Sequence, residues 1–227
     1  MRRSPLVAAA FAAAICAIAA PAAQAAFPGT NGTILFDRVQ PYEDQGRTLT
    51  VVPGGAPAPL SAGVGGMTPS LSPDGSRLLF SRIVTHGRYG AADIFVANAD
   101  GSGEVPLTDG TGPEHGASWS PDGRRIVFSQ KPYGDRVPTE LWVMNADGSG
   151  KTQLTRAGQH SYHPVFSPDG TKIAFQRYPL DDFDTADLYL YDLNSGGEQQ
   201  LTNGPGTETD PDFSPDGTKL AYSVDYL

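Results

Sequence analysis

The chain of 227 residues holds one cysteine, two tryptophans and four histidines. A single thiol excludes an internal disulfide and a cysteine-based metal knuckle. Cys16 lies inside the apolar N-terminal stretch, where Ile15 spoils a lipoprotein acylation box. Helical character is also scarce: beyond the first 25 residues no window sustains an apolar period of 3.6. Positive charge is in deficit, with 25 acidic against 16 basic residues and a formal charge of −9. Without a basic stripe the chain is a poor ligand for nucleic acid. No Gly-x-Ser-x-Gly nucleophile elbow is present, and Gly101-Ser102-Gly103 and Gly148-Ser149-Gly150 lack the strand-to-helix setting that one needs.

The first 25 residues have the layout of an export signal. Arg2 and Arg3 give a positive start, Leu6 to Ala20 is apolar, and Ala23-Gln24-Ala25 offers a small-x-small cleavage site. The apolar core is too short for a confident membrane span. The expectation is therefore a signal peptide over 1–25, a single domain over 27–227, and an exported mature chain, periplasmic or extracellular, with no transmembrane span. Loss of the two arginines takes the mature formal charge to −11, with 25 acids and 14 bases left.

What the chain has in abundance is repetition. Ser-Pro-Asp-Gly begins at Ser72, Ser120, Ser167 and Ser214, spaced 48, 47 and 47 residues apart. Proline presets the first turn angle, aspartate bonds its own backbone and glycine accepts the left-handed conformation, so each string predicts a tight hairpin. Around it four strand-like pieces recur. Strand a ends in the turn serine (69–72, 117–120, 164–167, 211–214). Strand b follows the glycine (77–82, 125–130, 172–177, 219–224). Strand c is 93–97, 140–144 and 187–191. Strand d is short and ends Leu-Thr (107–108, 154–155, 201–202). A degenerate first copy supplies b at 33–38, c at 48–52 and d at 60–61. The apolar runs, such as Ile126-Val127-Phe128, are continuous rather than alternating, which predicts strands covered on both faces.

A period of 40–50 residues with four antiparallel strands predicts an all-β, β-propeller fold of about four complete blades and a partial fifth. The Ser-Pro-Asp-Gly, Leu-Thr and Asp-Gly-Ser-Gly elements together resemble the TolB-like, or WD40-like (PD40), propeller repeat, from about Asn31 to Val224. The resemblance implies a scaffold that holds envelope or exported partners, or else a propeller that gates substrate for a serine peptidase. The halt after a fifth b strand leaves two readings: a truncated copy of a larger propeller, which is favoured because an open array exposes a β edge, and a compact four-bladed ring in which strand a at 211–214 completes the first blade.

Strand order places the a–b and c–d turns on one face and the b–c and d–a connections on the other. Turns on the first face are repetitive; the second face carries the variation, and divergent loops on a fixed scaffold are where binding is built. Each b–c loop holds a tyrosine: Tyr42, Tyr89, Tyr133 and Tyr178. Arg88, Arg136, Asp181 and Asp182 accompany them, and His115, His160 and His163 fall in the d–a loops. Tyrosines and charges around a channel mouth suit a protein or peptide partner; the competing reading packs each tyrosine over its own blade. Two histidines three apart make an incomplete metal site, and Asp181, Asp182, Asp184 and Asp187 lack the spacing of a calcium hand. The expected protein is a secreted, non-catalytic scaffold without cofactor. A peptidase-associated gate and a carbohydrate-binding propeller are the alternatives.

Overall fold

The computed structural model describes the strands Ile34–Arg38, Thr48–Val52 and Ala58–Pro59, and residues 66–226 apart from 87, 88, 111 and 135. The expected signal segment over 1–25, with Cys16, and also Tyr42 and Arg88, lie outside the described residues. Among the described residues every regular element is a strand. The first sheet is β1 (Ile34–Arg38), β2 (Thr48–Val52) and β3 (Ala58–Pro59). The second is β4 (Met67–Leu71), β5 (Arg77–His86), β6 (Tyr89–Asn98) and β7 (Val105–Pro106). The third is β8 (Glu114–Trp119), β9 (Arg125–Gln130), β10 (Glu140–Asn145) and β11 (Thr152–Gln153). The fourth is β12 (His160–Phe166), β13 (Lys172–Tyr178), β14 (Asp187–Asp192) and β15 (Glu198–Gln200), and the fifth is β16 (Thr207–Phe213) with β17 (Leu220–Asp225). All the ladders within the sheets are antiparallel meanders in chain order.

Consecutive sheets stand side by side as blades. β8 packs on β4, β5 and β6; β12 packs on β8, β9 and β10; β16 packs on β12, β13 and β14. The a strands thus touch one another in succession, which puts them innermost. Apolar clusters fill the seams between blades. Leu79 and Ile94 of blade two meet Trp119, Ile126, Phe128 and Met144 of blade three. Val127 and Leu141 of blade three meet Phe166, Ile173 and Phe175 of blade four. This explains the unbroken apolar runs: each b strand faces one seam on either side. Burying one such side chain stabilises by about 1.5–3 kcal/mol.

The Ser-Pro-Asp-Gly hairpins form as expected. Gly75, Gly123, Gly170 and Gly217 have φ of 70°, 66°, 69° and 69°, values that L side chains adopt only with strain. In each copy the serine hydroxyl donates to the aspartate carboxylate, at 2.6, 2.6, 2.5 and 2.6 Å.

Four boundaries differ from the sequence reading. The d strands end before Leu-Thr. Those two residues continue the attachment differently: Leu107 N–H donates to the Ile94 carbonyl, and the Thr108 hydroxyl accepts from Ile94 N–H at 2.9 Å. Thr155 and Thr202 repeat this on Leu141 and Leu188. The a strands start two to four residues early, so His115, His160 and His163 lie on strands and not in loops. The second blade's b and c strands extend to His86 and from Tyr89, leaving a two-residue connection where a long loop was expected. Finally, three sheets have four strands while the first and last have three and two; four complete blades are not present among the described residues, and no ladder joins β17 to β1 there.

Each a strand carries a bulge. Pairing slips between Met67 and Ser70, His115 and Ser118, Tyr162 and Val165, and Thr209 and Asp212. The residue inside each slip is left-handed: Thr68 at 51°, Gly116 at 59°, His163 at 48° and Asp210 at 53°. A non-glycine residue held there costs on the order of 1 kcal/mol.

Candidate partner-binding face

One of the sequence-chosen residues, His163, lies at an axial bulge and meets an aspartate that the sequence reading had not chosen. The His163 ring Nδ1 lies 2.5 Å from Asp210 Oδ1 of the next blade. Asp210 N–H donates to Gln176 Oε1 at 2.9 Å, and Gln176 Nε2 donates to the Tyr178 hydroxyl at 3.3 Å. Burial pushes the Tyr178 phenol up, and the charge of Asp210 adds to the shift. His115 lies near His163; burial foremost, and then that neighbour, holds its pKa down.

From Tyr178 the chain of contacts continues into an aromatic shelf. Tyr178 and Phe183 have ring centres 5.7 Å apart, Tyr162 and Tyr178 6.0 Å, and Phe183 and His160 4.9 Å. Phe183 is 57% exposed although it is large and apolar. Sequence reasoning named Tyr178 and His160 but missed Tyr162 and Phe183. Phe183 was discoverable as the lone aromatic in a run of aspartates.

His160 proves to be buried. Its Nδ1 accepts the Thr139 N–H at 3.1 Å, and the carbonyl of Leu180 also bonds the ring, with a modest upward pull on its pKa. Burial and then the charge of Lys131 lower that pKa. A ring whose Nδ1 accepts is neutral, with its proton on Nε2. His160 therefore ties the start of β10 in blade three to the b–c connection of blade four. It positions the shelf and offers little surface to a ligand.

The remaining candidates are scattered. Tyr133 is 52% exposed on the connection of blade three, and Arg136 there has a left-handed φ of 56°. Tyr89 lies on β6. Asp182 bonds its own loop, accepting from Asp184 N–H at 2.8 Å and from the Thr185 hydroxyl at 3.0 Å. Among the described residues no three His, Cys, Asp or Glu side chains converge at metal-binding spacing, and no helix is long and apolar enough to cross a membrane.

A buried carboxylate went unnoticed in the sequence. Glu114, at the start of β8, has no exposed side-chain surface. It accepts from the Thr108 hydroxyl at 3.0 Å, from Gln130 Nε2 at 3.0 Å and from Lys151 Nζ at 3.3 Å. Burial raises its pKa to about 7, with Asp93 adding and Lys151 and Thr108 opposing. Thr202 and Glu208 repeat the pair at 3.4 Å. The signal was the recurrent six-residue spacing from the Leu-Thr threonine to a glutamate.

Radial four-stranded meanders, seam cores and axial bulges define the molecule as a β-propeller. The TolB beta propeller domain family, PD40, matches residues 61–184. That is more than half of the chain, and the chain belongs to this family. Among solved structures it is similar to a TolB candidate from Agrobacterium tumefaciens, with 27% identity and a TM-score of 0.68 over 82% of this chain and 68% of that one. TolB from Acinetobacter baumannii aligns at 20% identity and a TM-score of 0.69, over 84% of this chain and 46% of that one. Porphyromonas gingivalis dipeptidyl peptidase 4 shares the fold at 16% identity and a TM-score of 0.53, over 84% of this chain and 34% of that one. The chain thus spans less than half the length of the last two. No curated protein matches it.

Proposed function

We propose that this chain is an exported, non-catalytic propeller scaffold that holds a protein or peptide partner on the face formed by its b–c and d–a connections. The observation that carries the reading is the shelf of Tyr162, Tyr178 and Phe183. It is anchored by cross-blade bonds yet leaves Phe183 more than half exposed. Aromatic groups held rigidly lose little entropy on binding and serve well as anchors. The continuous route from the axial His163–Asp210 pair to Tyr178 supports a site at the channel mouth.

The fold alone does not decide this, since propellers occur in chains with many activities. A displayed library of linear peptides selected on the purified protein provides the test. Enriched peptides that lose binding in Phe183→Ala and Tyr178→Ala, with the melting temperature of Phe183→Ala unchanged, support the reading. Enrichment indifferent to both substitutions, or no enrichment, rejects this face as the partner site.

A further inference from the structure

The opposite face holds an open cleft of about 560 Å³ between blades two and three. Its floor is Val96, Val105, Leu107 and Ala146, and Arg77 and Arg124 stand at its wall and rim. Volumes of this size accommodate small ligands. Three positions shape the cleft, and two of them depart from the repeat. Position 105 is valine where the later copies have Thr152 and Gln199. Position 146 is alanine, as Ala99 is in the preceding copy, whereas the next copy has Leu193, which packs into the seam between blades three and four. Position 124 is arginine where the other three turns have Ser76, Thr171 and Thr218.

The departure at Arg124 has a cost. The hydroxyls of Ser76, Thr171 and Thr218 each donate to their turn aspartate, at 2.8, 2.9 and 2.8 Å. Arg124 cannot make that bond, so this turn keeps only the serine hydroxyl and backbone N–H donors to Asp122, at 2.6 and 3.0 Å. In exchange an exposed guanidinium stands at the cleft rim. Its side chain has no hydrogen-bond or ion-pair partner among the described residues. Arg77 is fixed across the cleft by stacking 4.6 Å over the Trp119 ring and donating to the Gly123 carbonyl at 3.2 Å. The local carboxylates are engaged by their own turns: Asp147 accepts from Ser149 N–H and hydroxyl at 2.9 and 2.6 Å.

We propose that this cleft is a binding site for an aliphatic carboxylate, whose chain covers Val96, Val105, Leu107 and Ala146 and whose carboxylate pairs with Arg124. A planar guanidinium with spare donors matches that group in geometry and charge. The site lies on the other face from the shelf and stands or falls independently of it. Two sources offer the chemistry: a free short fatty acid, and the carboxyl terminus of a polypeptide ending in an aliphatic residue.

Calorimetric titration uses hexanoate, hexanamide, and an acetylated tetrapeptide ending in leucine as free acid and as amide. At least one acid is expected to bind, with its amide weaker by about tenfold or more. Arg124→Thr copies the sibling turns, so it should hold or raise the melting temperature while weakening the acid by a similar factor. Ala146→Leu copies the next blade and should abolish binding in a protein that still melts cooperatively. Tighter binding of the peptide acid names a polypeptide terminus as the source; tighter hexanoate names a free acid. Equal binding of acid and amide, indifference to both substitutions, or no binding by either acid overturns the proposal.

Discussion

The two faces of this propeller are built by different means. On the turn face, four copies repeat one local pattern: the turn serine N–H bonds the carbonyl five residues on at 2.9 Å in every copy, and the glycine N–H bonds the serine carbonyl at 2.8 Å in every copy. On the loop face the defining bonds run between blades, as in His160 to Thr139 and His163 to Asp210. A local bond can be copied with its segment and survives in any blade. The two side-chain bonds between blades each need a particular residue on both neighbours, and neither recurs among the described residues, so they give that face its individuality.

The contrast can be broken by substitution. The largest effect should come from Glu114, the buried carboxylate in the seam between blades two and three. Its pKa of about 7 in the fold exceeds the usual 4.5. The folded state therefore holds the proton more tightly. The resulting stability is full below about pH 4.5 and is lost as pH rises through 7, a difference of roughly 3 kcal/mol at 1.36 kcal/mol per unit. Urea melts from pH 5 to 8 should show this fall, and Glu114→Gln should flatten it. A wild-type stability that rises over that range contradicts the assignment.

His160→Ala comes next. It strands the buried Thr139 N–H at a cost of about 2 kcal/mol and loosens residues 179–186. Hydrogen exchange should accelerate in that segment and in β10 but not in the Ser167 turn. On the other face, Ser167→Ala removes one local bond pattern and should cost about 1 kcal/mol, with exchange changing only near residues 167–172. Phe183→Ala should be smallest, within about 0.5 kcal/mol in melts, as for other exposed positions. A loss as large as that of a core phenylalanine would show that the ring is a packing element and not a free anchor.

The turns and most strand cores were legible because they are local. Ser-Pro-Asp-Gly specifies its hairpin from four residues, and Ile126–Phe128 declares a buried strand by composition. The Leu-Thr motif misled because its threonine hydroxyl mimics a ladder acceptor, so the strand looks longer than its backbone pairing. The histidines were misplaced for a related reason. The d–a segments are rich in glycine and polar residues, yet from His160 or Glu114 onward they pair with the b strand. Phe183 joined the shelf through contacts with residues up to 23 positions away, which no local pattern reports. Strand order grouped the b–c and d–a connections on one side, but which side chains converge there was not legible.

The axial bulge has a consequence for how these strands divide their labour. Along β8, Trp119 and Ala117 are buried in alternation, but upstream of Gly116 the buried residue is Glu114 and not His115. In β12, Phe166 and Pro164 are buried, then Ser161 and His160 rather than Tyr162. One inserted residue shifts the phase of everything before it. Each inner strand is thereby two half-strands on one backbone, whose buried side chains are out of phase with one another. The upstream half can diversify from blade to blade while the downstream half keeps its register.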